Sequence, residues 1–82
     1  MNSPHVTNPD DQRRLAALSA RERQVLALVA YGRSAKSIAL ILNISPRTVN
    51  LHSASITRKL GAENRLQAVA IAVRAGLLTP EH

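Results

Sequence analysis

The sequence contains no cysteine, tryptophan or phenylalanine, and its one aromatic residue is Tyr31. Without cysteine, no disulfide framework, thiol nucleophile or cysteine-ligated metal site can form. With almost no aromatics, a core must be built from Ala, Val, Ile and Leu, which suits closely packed helices better than a sheet sandwich. Long apolar runs are missing as well. The longest, Val25–Ala30 and Ala68–Val73, fall far short of the ~20 residues that span a bilayer. No apolar stretch follows Met1 as a secretory leader requires. The expectation is one small soluble domain in the cytoplasm, with no membrane contact.

Acidic residues are scarce too. Eleven Lys and Arg stand against five Asp and Glu in 82 residues, a formal net charge of +6. Between Ser19 and Leu78 nine basic residues face only Glu22 and Glu63, a net +7, so the tails are slightly acidic. A compact unit carrying that excess presents a positive surface of the kind that attracts phosphate.

The organisation along the chain is helical. Residues 1–14 hold Asn, Ser, Pro, Asp and Gln without apolar periodicity and read as a flexible arm or linker remnant. Residues 15–82 read as the domain, with four helices. The first opens at Ser19-Ala-Arg-Glu22, a capping box in which cap and third residue satisfy each other's amides. Leu18, Val25, Leu26 and Val29 form its inward stripe, and Gly32 ends it. The second is capped by Ser34 and buries Ile38, Ala39 and Leu42; Asn43 then suits a tight turn. The third has Ser45 as cap, Pro46 at its first position and Gly61 as its stop. Val49, His52, Ile56 and Leu60 recur on its inward face. The fourth starts near Asn64 and stops at Gly76. No segment reads as a strand, so the fold expected is all-α, a four-helix helix-turn-helix domain behind a flexible arm.

Within Ser34–Gly61 a short helix, a tight turn and a longer helix follow one another, the layout that places a second helix in the DNA major groove. Opposite its inward stripe, that longer helix offers Arg47, Asn50, Leu51, Ala54 and Arg58. Asn pairs with the adenine edge and Arg with guanine, while Leu and Ala meet a thymine methyl. Arg47, Asn50, Leu51 and Ala54 are therefore the candidate base-reading residues. Ser45, Thr48 and the free amides at the helix start suit a phosphate, and Lys36, Arg58 and Lys59 suit the flanking backbone.

Several segments together resemble the LuxR/GerE-type DNA-binding domain of bacterial transcription regulators. They are Leu18-Ser-Ala-Arg-Glu-Arg-Gln-Val-Leu26, Ser34-Ala-Lys-Ser-Ile-Ala39, Ile44-Ser-Pro-Arg-Thr-Val49, His52 and Lys59-Leu-Gly61. The resemblance covers about Leu15 to Leu78. It implies a four-helix output module of the kind found in response regulators, binding double-stranded DNA as a homodimer assembled through the last helix.

Departures from the family pattern are informative. The family often has Lys at the position of Asn50, a polar or basic residue near Ala54, and an acid at Ser37. It typically has charged residues where Leu40 and Ile41 stand, so that pair is a candidate contact for another protein such as RNA polymerase or a second regulator. The last helix is apolar nearly all round. With Val69, Ala72 and Val73 turned inward, Ala68, Ile71 and Ala75 are left as the expected dimerisation strip.

Two other readings share these features. One is an adaptor or anti-activator using the same fold without productive DNA binding. The other is a promoter-reading module resembling sigma-factor region four. An enzyme is not expected: Glu22 and Glu63 have no carboxylate partner at helical spacing, and no nucleophile motif or phosphate loop is present. Nor is a metal, cofactor or small-molecule ligand expected, since His5 and His82 lie in the tails and His52 stands alone on its helix.

Overall fold

In a computed structural model of the chain, residues 9–77 are described, and they form five helices and no strand. These are α1 (Pro9–Ala16), α2 (Ala20–Ala30), α3 (Ala35–Leu42), α4 (Pro46–Leu60) and α5 (Arg65–Arg74). The all-α class expected from the sequence is the one observed. His5, Leu78, Pro80 and His82 fall outside the described residues.

The helix count differs from the expectation of four, because residues 9–14 are helical rather than an arm. Pro9 occupies the first position, Asp10 and Asp11 the first turn, and Arg13 and Arg14 the last, all favourable for the helix dipole. Eight residues are too few to hold a helix alone. What holds α1 is tertiary: Leu15 and Asp11 are buried. Asp11 Oδ2 accepts from Arg74 Nη2 at 3.3 Å, and Gln12 Nε2 donates to the Ala75 carbonyl at 2.6 Å. The Ala75 contact satisfies one of the orphan carbonyls at the end of α5.

The other four helices start where the sequence placed their caps. Ser19 Oγ accepts from Glu22 N at 3.0 Å and Glu22 Oε1 from Ser19 N at 2.8 Å, completing the capping box. Ser34 Oγ accepts from Ser37 N at 3.1 Å, Ser45 Oγ from Thr48 N at 3.0 Å, and Asn64 Oδ1 from Gln67 N at 2.9 Å. Each such cap contributes about 1 kcal/mol.

The core is wholly aliphatic. Leu18, Val25 and Leu26 of the α2 region meet Ile38 and Ala39 of α3, Val49, Ile56 and Leu60 of α4, and Ala68, Ile71 and Ala72 of α5. Tyr31 takes no part, being 59% exposed. The helices can converge on so little apolar volume because the packed positions of α3 and α5 include Ala35, Ala39, Ala68, Ala72 and Ala75, which allow close axis approach.

The phase of α5 departs from expectation. Ala68, Ile71 and Ala75, expected on the outer strip, are 2%, 4% and 6% exposed and belong to the core. Val73, expected inside, is exposed, and Val69 is half-buried. The buried face sets one large side chain, Ile71, among Ala68, Ala72 and Ala75, which leaves room for α1, α2 and α4 to approach. Leu66, Ala70 and Val73 are left on the outside, with Leu66 78% exposed.

Candidate nucleic-acid interface

The sharp connection between α3 and α4 is made by Asn43, Ile44 and Ser45. Asn43 has φ +59° and ψ +47°, the only non-glycine with positive φ among the described residues. Asn tolerates that conformation at low cost, and it lets the Asn43 and Ile44 amides both reach back to the Ala39 carbonyl. Ser45 and Pro46 then start α4 at once. At the other end Gly61, at φ +66°, reverses the chain, with its amide directed to the Arg58 carbonyl and the Ala62 amide to Thr57.

Helical spacing gives α4 two faces. Val49, Ile56 and Leu60 are buried, with His52 half-buried beside them, as the sequence pattern predicts. Arg47, Asn50, Leu51, Ala54 and Arg58 are exposed together on the opposite side. Leu51 is 59% exposed, an apolar side chain in the middle of a polar strip. Lys36 is exposed at the first turn of α3. The candidate base-reading residues are thus brought onto one continuous face, next to a helix N-terminus.

That N-terminus is partly occupied. Ser45 Oγ lies 2.9 Å from Thr48 Oγ1 as well as capping Thr48 N, so both hydroxyls already engage each other. They retain lone pairs and a rotatable proton; Pro46 has no amide hydrogen and the Thr48 and Val49 amides are engaged by Ser45, which leaves the Arg47 amide as the first-turn donor.

Lys59 is placed differently from the expectation of a phosphate contact. Its Nζ donates to Glu22 Oε1 at 2.9 Å, with the lysine side chain 35% exposed and the glutamate 7%. Glu22 is correspondingly not the isolated carboxylate that helical spacing suggested. Burial pushes its pKa up, but hydrogen bonds from the Ser55 hydroxyl, the Ser19 amide and Lys59 outweigh burial and lower it from 4.5 to about 2. Ser55 Oγ donates to Glu22 Oε2 at 2.6 Å. One carboxylate therefore caps α2 and ties it to the last two turns of α4, fixing the angle at which the exposed face is presented. Its partners lie 33 and 37 residues away, beyond any local pattern. Arg58 remains exposed, its Nη2 3.5 Å from Ser55 Oγ.

Ser53 Oγ is buried and has no hydrogen-bond partner, an unsatisfied hydroxyl on the back of α4. Leu40 and Ile41 are 77% and 52% exposed on α3. No described helix is long and apolar enough to cross a membrane. Among the described residues no three His, Asp or Glu side chains converge as a metal site.

Comparison with known proteins agrees with this architecture. The GerE family model, described as bacterial regulatory proteins of the luxR family, matches residues 16–72. The transcriptional activator protein VanR of Vibrio anguillarum is 47% identical over 70 residues, 85% of this chain and 29% of that protein. The transcriptional regulatory protein FixJ of Rhizobium meliloti is 46% identical over 67 residues, 82% of this chain and 33% of that one. A crystal structure of VqmA from Vibrio cholera, in a complex with ligand and DNA, matches with a TM-score of 0.71 at 28% identity. It covers 98% of this chain and 32% of that one. The chain spans about a third or less of the length of these relatives. VanR and FixJ are named as transcription regulators. With its capped α3–turn–α4 unit and exposed polar strip, the chain belongs to the luxR family of bacterial regulatory proteins and carries that family's helix-turn-helix DNA-binding domain.

Proposed function

We propose that the chain regulates transcription by sequence-specific binding to double-stranded DNA as a homodimer, with α4 in the major groove. The observation that carries this reading is the exposed strip of Arg47, Asn50, Leu51 and Ala54 on a helix whose other face is locked into the core. Arg47 and Asn50 supply hydrogen bonds to base edges, and Leu51 and Ala54 supply contact to thymine methyls. Lys36, Arg58, Ser45, Thr48 and the Arg47 amide of α4 hold phosphates on either side. Lys59 is left out of this set because Glu22 already neutralises it.

The dimer seam runs along Leu66, Ala70 and Val73, spaced four and three residues apart on the outer face of α5. Two copies related by a two-fold axis bury these side chains against each other. The axis then sets two recognition helices one turn of DNA apart, roughly 34 Å.

A second reading concerns α3. Leu40 and Ile41 are the most exposed large apolar pair adjacent in sequence, which favours a protein contact, with RNA polymerase or another regulator as the partner. Leu40→Glu with Ile41→Arg then abolishes transcriptional activation in a reporter assay while DNA affinity is kept.

Selection from a random duplex library near physiological salt tests the main reading. Enrichment of an inverted repeat with half-sites one turn apart is expected. Salt-sensitive binding without any enriched motif would contradict it and favour an adaptor role.

A further inference from the structure

The helix that precedes the family match places a cation where the recognition helix ends. A methyl group built on Gly61 would lie 3.9 Å from both Cζ and Nη1 of Arg14, so the Arg14 guanidinium sits against the C-terminal turn of α4. Residues 9–15 of α1 lie ahead of the matched span, 16–72.

Register decides which side of α4 this is. Residues 50, 54 and 61 are separated by four and seven positions, so they fall on one line along the helix within about 40°. Gly61 leaves the helix at φ +66°, so register places its Cα beyond the line of Asn50 and Ala54, with the Arg14 guanidinium beside it. At 1.5 Å per residue, Gly61 is about 10 Å beyond Ala54 along the axis. The major groove is about 12 Å wide, so a charge at that distance meets the bordering sugar-phosphate strand, not another base.

The helix that carries the charge is held in place, and the charge is not consumed. Arg14 is exposed and makes no ion pair among the described residues. Lys59, in the same last turn, is spent on Glu22. The Asp11–Arg74 contact at 3.3 Å and the Gln12–Ala75 bond at 2.6 Å fasten α1 to α5.

We propose that Arg14 is a DNA-phosphate contact contributed by α1, gripping the backbone strand that borders the groove at the C-terminal end of α4. This rests on the reading of α4 as the groove helix. It assigns α1 a share of the binding surface, in the position where Lys59 was expected to act.

The test is fluorescence-anisotropy titration of the 82-residue chain over a salt series, on the selected inverted-repeat duplex and on a mixed-sequence duplex. Arg14→Gln should flatten the slope of log K against log salt by about 0.9 for each bound copy of the chain on both duplexes. It should weaken binding about fivefold per copy near 0.15 M salt. Arg14→Lys should keep the wild-type slope. An unchanged slope in Arg14→Gln, or an equal loss in Arg14→Lys, would overturn the assignment while leaving the α4 reading intact. A purely structural cap on α4 would change melting temperature without changing the slope. Wild-type protein that binds neither duplex would overturn the α4 reading and this one with it.

Discussion

Replacing Glu22 by Gln removes the charge that ties α2 to α4 while keeping the side-chain shape. The folded-state pKa is lowered from 4.5 to about 2, and each pKa unit corresponds to about 1.4 kcal/mol, so the ionised form contributes at most roughly 3 kcal/mol at neutral pH. Stability of a domain this size is itself only about 4–12 kcal/mol. Because the folded pKa is depressed, this stabilisation is present above the unfolded pKa and is lost as pH falls toward 2. At pH 3, between the two values, about 2 kcal/mol of it is gone. The assay is urea unfolding of wild type and Glu22→Gln at pH 7 and pH 3. A gap of roughly 3 kcal/mol at pH 7 should shrink by about 2 kcal/mol at pH 3; taking the difference cancels the other carboxylates. Equal gaps at the two pH values would refute the description of Glu22 as a buried, ionised tie. Lys59, with a side chain 35% exposed, can turn to water in the variant and leaves no buried charge behind.

Three further outcomes follow from the packing. Ser53→Ala removes a buried hydroxyl with no partner and should leave stability unchanged or raise it by about 1 kcal/mol, a rise of about 4–8 °C in Tm by calorimetry. Gly61→Ala, at φ +66°, should cost about 1–2 kcal/mol in urea unfolding, from backbone strain alone, since the methyl itself has room. Val73→Glu should yield a folded monomer by sedimentation with weakened binding to an inverted repeat, whereas undiminished dimer mass would place the seam elsewhere.

Most of the fold was legible because its boundaries are written locally. Ser19, Ser34, Ser45, Asn64 and Gly61 act within four residues of themselves, and Val49, Ile56 and Leu60 mark the buried face of α4 by spacing alone. The exposed strip followed from that face. What was not legible depends on distant partners. In α5 both faces are apolar, so periodicity establishes a helix but leaves its rotation open; the packing of Ile71 among Ala68, Ala72 and Ala75 against α1, α2 and α4 decides it. Asp11 and Gln12 look like tail residues until Arg74 and the Ala75 carbonyl, more than sixty positions away, bind them. A signal for α1 was nonetheless present, in Pro9 at a helix start followed by two acids and then Leu15. The Glu22–Lys59 pair carried no such signal. Its spacing of 37 residues follows from how α2 crosses α4 and from nothing in either helix alone.

The most direct test of α4 as the reading helix is amide chemical-shift mapping of the isotope-labelled chain titrated with the selected duplex. The largest changes should fall on Arg47, Asn50, Leu51 and Ala54, with smaller ones at Lys36, Ser45 and Arg58 and little change at Leu40 and Ile41. Changes centred on Leu40 and Ile41 or on α5, with the exposed strip of α4 silent, would contradict the account.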